Sequence, residues 1–234
     1  MKINFDYPKP LDLKRNERKT LDYLRNQPNV QQDFGELASR ARNLYFQISD
    51  DKSLKLSPID FNAEMAIEIE RRKKKVFVGA IIKTHKKKNR YEYQLVSYLL
   101  AICNGSELIR KFHFDYAFEK VGQNQSVPIF HLQYGGKLSP YMKQKGIDDG
   151  KIEPWLSSPR LNFPPITLAL LLDVVFSEFR TVETNRIVED PQWRSLVKRN
   201  EELVMIPYFS NILRFTNSGL HRQNRLVRDF CHGN

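Results

Sequence analysis

Between residues 61 and 134 the apolar positions recur mainly every second residue, and this period of two governs the middle of the chain. Phe61, Ala63, Met65, Ile67 and Ile69 alternate with Asn62, Glu64, Ala66, Glu68 and Glu70. The spacing predicts a half-buried strand with carboxylates on its outer face. Residues 76–84 are β-branched and apolar and form the second expected strand. Residues 91–103 read as a third, although their apolar second half also suits a helix, and 108–119 and 128–134 complete the set. Polar connections such as Asn104-Gly105-Ser106 separate these runs, which predicts an antiparallel meander of five strands.

On either side of this region the period lengthens. Residues 11–26 carry Leu13, Leu21 and Leu24 among many charges, as a helix would. Asp33 and Glu36 have the spacing of a capping box, and Leu37, Ala41, Leu44, Tyr45 and Ile48 follow as one helical stripe. Asp50-Asp51-Lys52-Ser53 and Ser57-Pro58 mark the boundary before the sheet, and Gly135-Gly136 ends it. Residues 137–165 read as a long loop, with Pro165 placed in the first turn of an apolar helix over 166–179. Asp190-Pro191 opens another helix to about Met205, Pro207 interrupts it, and a short helix follows over 208–215.

The resulting expectation is a single α+β domain over residues 1–234. A helical segment (1–56) leads into a mainly antiparallel sheet (60–136), and C-terminal helices (165–216) pack on one sheet face. With 234 residues and 41% hydrophobic content the chain can bury a sizeable core. Cys103 and Cys231 are the two cysteines and have no paired spacing, so neither a disulfide framework nor a zinc site is expected. The most apolar run contains Asp173 and falls short of a membrane span, and the N-terminus lacks an apolar signal core. A cytoplasmic, bacterial or phage protein is therefore expected.

The formal charge of +11 is unevenly placed: residues 71–90 hold ten Lys or Arg and no Asp or Glu. Such a field attracts polyanions, and DNA or RNA is the expected partner. Its contact residues would be Arg71, Arg72, Lys73, Lys74, Lys75, Lys86, Lys87 and Lys88. The competing account is a solvated surface whose lysines protect sheet edges and hairpin ends. In a meander the two basic turns fall at opposite ends of the sheet, which argues against one compact basic pocket. Tyr91, Tyr93, Tyr134 and Tyr141 could stack on unpaired bases, although core and cross-strand packing is the commoner use of such residues.

Candidate chemistry lies in the last two strands. In Phe112-His113-Phe114-Asp115-Tyr116 and Phe130-His131-Leu132-Gln133-Tyr134 the polar residues occupy odd positions. An even-sum pairing, such as His113 with Gln133 and Asp115 with His131, would gather all four on one face; a β-bulge would undo this. Two histidines could then serve as acid and base on a phosphodiester, with Asp115 orienting one of them. The same residues could ligate a divalent metal, the one cofactor left open, with His131 or His221 completing the set and Glu64 and Glu68 as further carboxylates.

The His113-Phe114-Asp115 spacing resembles the His-x-Asp motif of iron- and 2-oxoglutarate-dependent oxygenases. That family sets its ligands in a double-stranded β-helix, whereas two helices are expected here before His221. The leading expectation is therefore a basic nucleic-acid-binding protein, within a larger assembly. A nuclease or other phosphodiesterase using His113, Asp115, His131 and Gln133 is the alternative. A protein-interaction component of toxin-antitoxin type, meeting an acidic protein partner, is the third class.

Overall fold

The computed structural model describes residues 8–26, 61–69, 74–87, 90–116, 130–135, 138, 140–144, 146–148, 160–180 and 182–217. The helix expected over 33–48 lies outside them. In chain order the elements are α1 (Pro10–Asn26), β1 (Phe61–Ile69), β2 (Lys74–Lys87), β3 (Arg90–Asn104), β4 (Glu107–Tyr116), β5 (Phe130–Tyr134), α2 (Pro140–Gln144) and β6 (Arg160–Asn162). Then come α3 (Leu168–Glu178), α4 (Val182–Glu189), α5 (Pro191–Asn200), a π-helical turn (Glu201–Met205) and α6 (Ile206–Asn217).

The fold is α+β, with one sheet in the order β1-β2-β3-β4-β5-β6 and every neighbouring pair antiparallel. The five expected strands are present, and β3 is strand throughout. The correction lies in the stretch read as loop, which holds α2 and a sixth, three-residue edge strand. Arg160–Asn162 is too short for any period to show in sequence; it is strand because His131, Leu132 and Gln133 pair with it.

Two bulges decide which side chains meet. On β2–β3 the register shifts between Lys83 and Thr84, leaving Gln94 as the extra residue. Beyond it the β3 positions exchange faces, so Tyr93 packs on the core beside Thr84, which keeps the buried side of β2, while Leu95 lies exposed on the other face. On β3–β4 the shift lies between Ile102 and Cys103, with Ile109 as the extra, exposed residue. It turns Leu108 towards Phe77, Leu99, Ala101 and Cys103, where Leu138, Met142 and Ile147 cover a small second core. The larger core is on the opposite face, where Val76, Val78, Val96, Tyr98, Phe114, Tyr116 and Phe130 pack with α1 and the C-terminal helices.

Helix α1 is buried through a stripe that is half polar. Leu13, Leu21 and Leu24 follow the expected helical spacing, and Lys14, Asn16, Glu17 and Thr20 are buried among them. Each polar group reaches another element or the helix itself. Lys14 Nζ donates to Thr84 Oγ1 of β2 at 2.9 Å, Asn16 Nδ2 donates to Asn200 Oδ1 of α5, and Thr20 Oγ1 donates to the Asn16 carbonyl at 3.2 Å. Glu17 accepts from the Tyr98 hydroxyl of β3 at 2.5 Å and from the Leu168 amide of α3, whose distance to each carboxylate oxygen is 3.2 Å. That amide belongs to the first turn of α3, where N–H groups have no intrahelical partner. Thr167 caps the same end by accepting from the Leu170 amide, so the helix begins at Leu168, two residues after the expected start at Ile166.

The C-terminal helices hold two further differences. Residues 182–189, between two expected helices, form α4, and the expected break at Pro207 is replaced by continuous helix. The wider turn over Glu201–Met205 accounts for the second, since the Ile206 amide donates to the Glu201 carbonyl, five residues back. Widening the ladder just before Pro207 relieves the loss of the proline's N–H and the clash of its ring. Trp193 is fully buried, with its indole N–H donating to Asp173 Oδ1 at 2.7 Å. It is thus an anchor of the core.

Burial pushes the Glu17 carboxyl up from 4.5 to about 7, against the opposing hydrogen bonds from Tyr98 and Leu168. A carboxyl whose folded pKa is raised binds more protons folded than unfolded, so its contribution falls as pH rises from 4.5 to 7. For a shift of this size the loss is about 3 kcal/mol. Urea unfolding of the wild type and Glu17→Gln from pH 4 to pH 8 should show the variant gaining about that much relative to the wild type. Parallel pH profiles for the two proteins would refute a buried, proton-binding Glu17.

Candidate functional site

The pairing of β4 with β5 sets His113 opposite Gln133 and Asp115 opposite His131. Neither bulge intrudes, because Gln94 and Ile109 both lie outside the regular β4–β5 pairing, so the four polar residues share the face that bears the smaller core. The aromatic residues between them turn the other way: Phe114 and Tyr116 are buried in the larger core, and Phe112 and Tyr134 meet edge to face with centroids 5.4 Å apart. Tyr93 donates its hydroxyl to the Pro8 carbonyl at 2.6 Å. Two of the tyrosines considered for base stacking, Tyr93 and Tyr134, are therefore used in packing.

Across the sheet the site forms two cross-strand rows. One runs Ser97, Asp115, His131, Asn162, and the other Leu99, His113, Gln133, Arg160. In the first, the Ser97 hydroxyl donates to Asp115 Oδ1 at 2.5 Å, and Asp115 Oδ2 lies 4.0 Å from His131 Nε2. The serine holds the carboxylate so that its second oxygen faces the imidazole. At 4.0 Å that contact is a charge pairing rather than a hydrogen bond, and it operates when the ring is protonated. His131 is buried, and Asp115 is half-buried.

In the second row, His113 and Gln133 are half-buried and Arg160 is exposed, with Arg160 Nε donating to Gln133 Oε1 at 3.4 Å. Lys111, next along β4 on the same face, is wholly buried. His113 is held below the usual histidine range, first by burial and next by the Lys111 charge, with Asp115 pulling the other way. At neutral pH its imidazole is uncharged and free to accept a proton. One face thus gathers a neutral histidine, a second histidine facing a carboxylate, a buried lysine and an exposed arginine.

Sequence reasoning brought together His113, Asp115, His131 and Gln133, and the register places all four side by side. It missed Ser97, Lys111 and Arg160. The parity of β4 already carried the signal for Lys111, since 111, 113 and 115 alternate with 112, 114 and 116. Ser97 becomes visible only when β3 is set against β4, and Arg160 only when β6 exists.

The other expectations are placed as follows. Lys74, Lys75, Lys86 and Lys87 lie at the two ends of β2, and Arg71, Arg72, Lys73 and Lys88 lie outside the described residues, as do His221 and Cys231. Fourteen residues of strand separate the two basic ends by roughly 45 Å. Glu64 pairs with Gly79, three strands from His113, a distance of about 14 Å. That is too far for one metal ion to span. Among the described residues no three His, Cys, Asp or Glu side chains form a group that could hold a metal.

The successive antiparallel hairpins also differ from a double-stranded β-helix, leaving the oxygenase-like spacing of His113 and Asp115 without its setting. Among the described residues no helix is long and apolar enough to cross a membrane. Comparison with protein-family models, curated proteins and solved structures finds no match to this chain.

Imidazole titration followed by NMR should give His113 a midpoint below 6.5. Lys111→Met should raise that midpoint, and Asp115→Asn should lower it further, following the sign of each neighbour's charge. Losing a buried charged group can destabilise the fold, so thermal unfolding of the lysine variant accompanies its titration and the Asp115→Asn comparison stands independently of it. A midpoint at or above 6.5, or one indifferent to both substitutions, would contradict this electrostatic account.

Proposed function

We propose that the chain is a basic nucleic-acid-binding protein and that its histidine face is turned towards the bound phosphates. The observation that carries this reading is the charge distribution. Ten cationic residues fall within 71–90 with no acidic residue between them. Lys74, Lys75, Lys86 and Lys87 then place cationic segments at both ends of the longer central strands, and Lys111 and Arg160 add positive charge to the face between. An extended polyanion suits charge spread over such a length better than a small anion does.

A second reading is favoured by the two histidine environments. His113 is uncharged at neutral pH, and His131 faces Asp115 across 4.0 Å. Diagonal neighbours on antiparallel strands lie about 7–8 Å apart, a spacing that leaves room for a phosphodiester between two imidazoles. A phosphodiesterase would use the neutral ring as base and the carboxylate-paired ring as acid.

Filter binding of a duplex oligonucleotide tests the first reading. A footprint of about four phosphates weakens affinity roughly 100-fold between 50 and 200 mM salt. No retention at 50 mM salt would reject nucleic-acid binding. Incubation with labelled RNA and DNA tests the second: His113→Ala should lower any cleavage rate at least 100-fold under saturating protein, the scale of general base catalysis. Unchanged cleavage in that variant would remove His113 from the chemistry.

A further inference from the structure

Arg160 is the residue on the histidine face that sequence could not place, and its surroundings give it a definite use. It stands on the outermost strand, directly across from Gln133, which in turn stands across from His113. Gln133 accepts from Nε, the inner nitrogen of the guanidinium, at 3.4 Å. No carboxylate among the described residues pairs with the guanidinium, and Arg160 is exposed. Held through Nε, an arginine keeps its two terminal NH2 groups for an oxyanion, and the planar fork suits phosphate.

Distances along the row fit a tetrahedral anion. Residues two strands apart are about 10 Å apart across the sheet, so His113 and Arg160 flank Gln133 and an anion above that glutamine lies within reach of both side chains. The field points the same way. Lys111 is buried beside His113 on the inner side, and Asp115, which also acts on His113, accepts a hydrogen bond from Ser97 in the neighbouring row. An anion over His113 would therefore meet Lys111 along the strand and Arg160 across the sheet, with Asp115 as the opposing charge.

We propose that His113, Gln133 and Arg160 form a seat for a single phosphate of a nucleic-acid strand, with Arg160 the principal contact. This rests on the nucleic-acid reading above and names the residues that would hold the backbone at the centre of the sheet. Phosphate in the seat offsets the Lys111 charge, which depresses His113, so binding and protonation of that imidazole are coupled. By linkage each favours the other, and binding strengthens as pH falls. A purely structural Arg160 would produce no such dependence.

The full chain, labelled at histidine, is titrated at low salt with a dinucleoside monophosphate, which carries one phosphodiester, and separately with inorganic phosphate and a twelve-residue single-stranded oligonucleotide. In the wild type the dinucleoside monophosphate should shift the His113 ring resonances, raise its titration midpoint and bind more tightly at pH 6 than at pH 8. Arg160→Ala should weaken that binding at least tenfold and abolish its pH dependence, and Arg160→Lys should restore part of the affinity. Arg186→Ala, an exposed arginine on α4, should leave the response as in the wild type.

Oligonucleotide binding that leaves His113 unmoved and survives Arg160→Ala would overturn the seat while the nucleic-acid reading stands. A response to inorganic phosphate with no binding of either nucleotide probe would overturn the nucleic-acid source of the anion. Silence at His113 with all three probes would overturn the seat outright.

Discussion

A buried carboxylate, Glu17, is the constraint on which the packing of this protein turns. It brings together α1, the centre of the sheet through Tyr98, and the first turn of α3 through the Leu168 amide. Removing a charged group from water is costly, and two responses are visible. Its partners donate hydrogen bonds to it, and its proton affinity rises until the neutral form is populated near pH 7. Lys14 to Thr84 and Asn16 to Asn200 extend the same arrangement along the helix. Apolar contacts among these elements are tolerant of small slips, whereas directed bonds from one short helix to two strands and two other helices are not. The orientation of the sheet beneath the C-terminal helices follows from this polar seam.

With one face of the sheet committed to that seam, the other is divided along its length. Near the β3–β4 turn it is apolar, because the bulge at Ile109 brings Leu108 onto the side of Phe77, Leu99, Ala101 and Cys103. Further along, where β4, β5 and β6 pair, the register is regular and the same face becomes polar. The site is thus supported from below by the main core and from one side by the smaller one. Polar side chains fixed on adjacent strands hold their geometry better than side chains on loops, and this rigidity is what a binding or catalytic face requires.

Charge on that face is arranged by rows. Asp115, held by Ser97, faces His131 and also acts on His113, whose ring is depressed by burial and by the Lys111 ammonium. Two histidines on neighbouring strands consequently sit in opposite electrostatic surroundings, one favouring the neutral ring and one facing a carboxylate. Arg160, at the edge, supplies a solvent-facing cation to the row that lacks a carboxylate.

The order of helix, meander and C-terminal helices was legible in the residues themselves, because periods of two and of about 3.6 report which side of an element is dry. The same parity brought His113, Asp115, His131 and Gln133 together before any coordinate was known. Pairwise facts across long separations were beyond that reach. The polar stripe of Lys14, Asn16, Glu17 and Thr20 looks solvated in sequence, and its burial depends on partners up to 184 residues away. The strand at Arg160–Asn162 exists through its pairing with β5, and the helix through Pro207 through a widened turn that leaves no mark in composition. Local chemistry determines which faces want water; the pairing of distant segments determines which polar groups escape it together, and the buried seam and the arginine of the site both belong to that second kind.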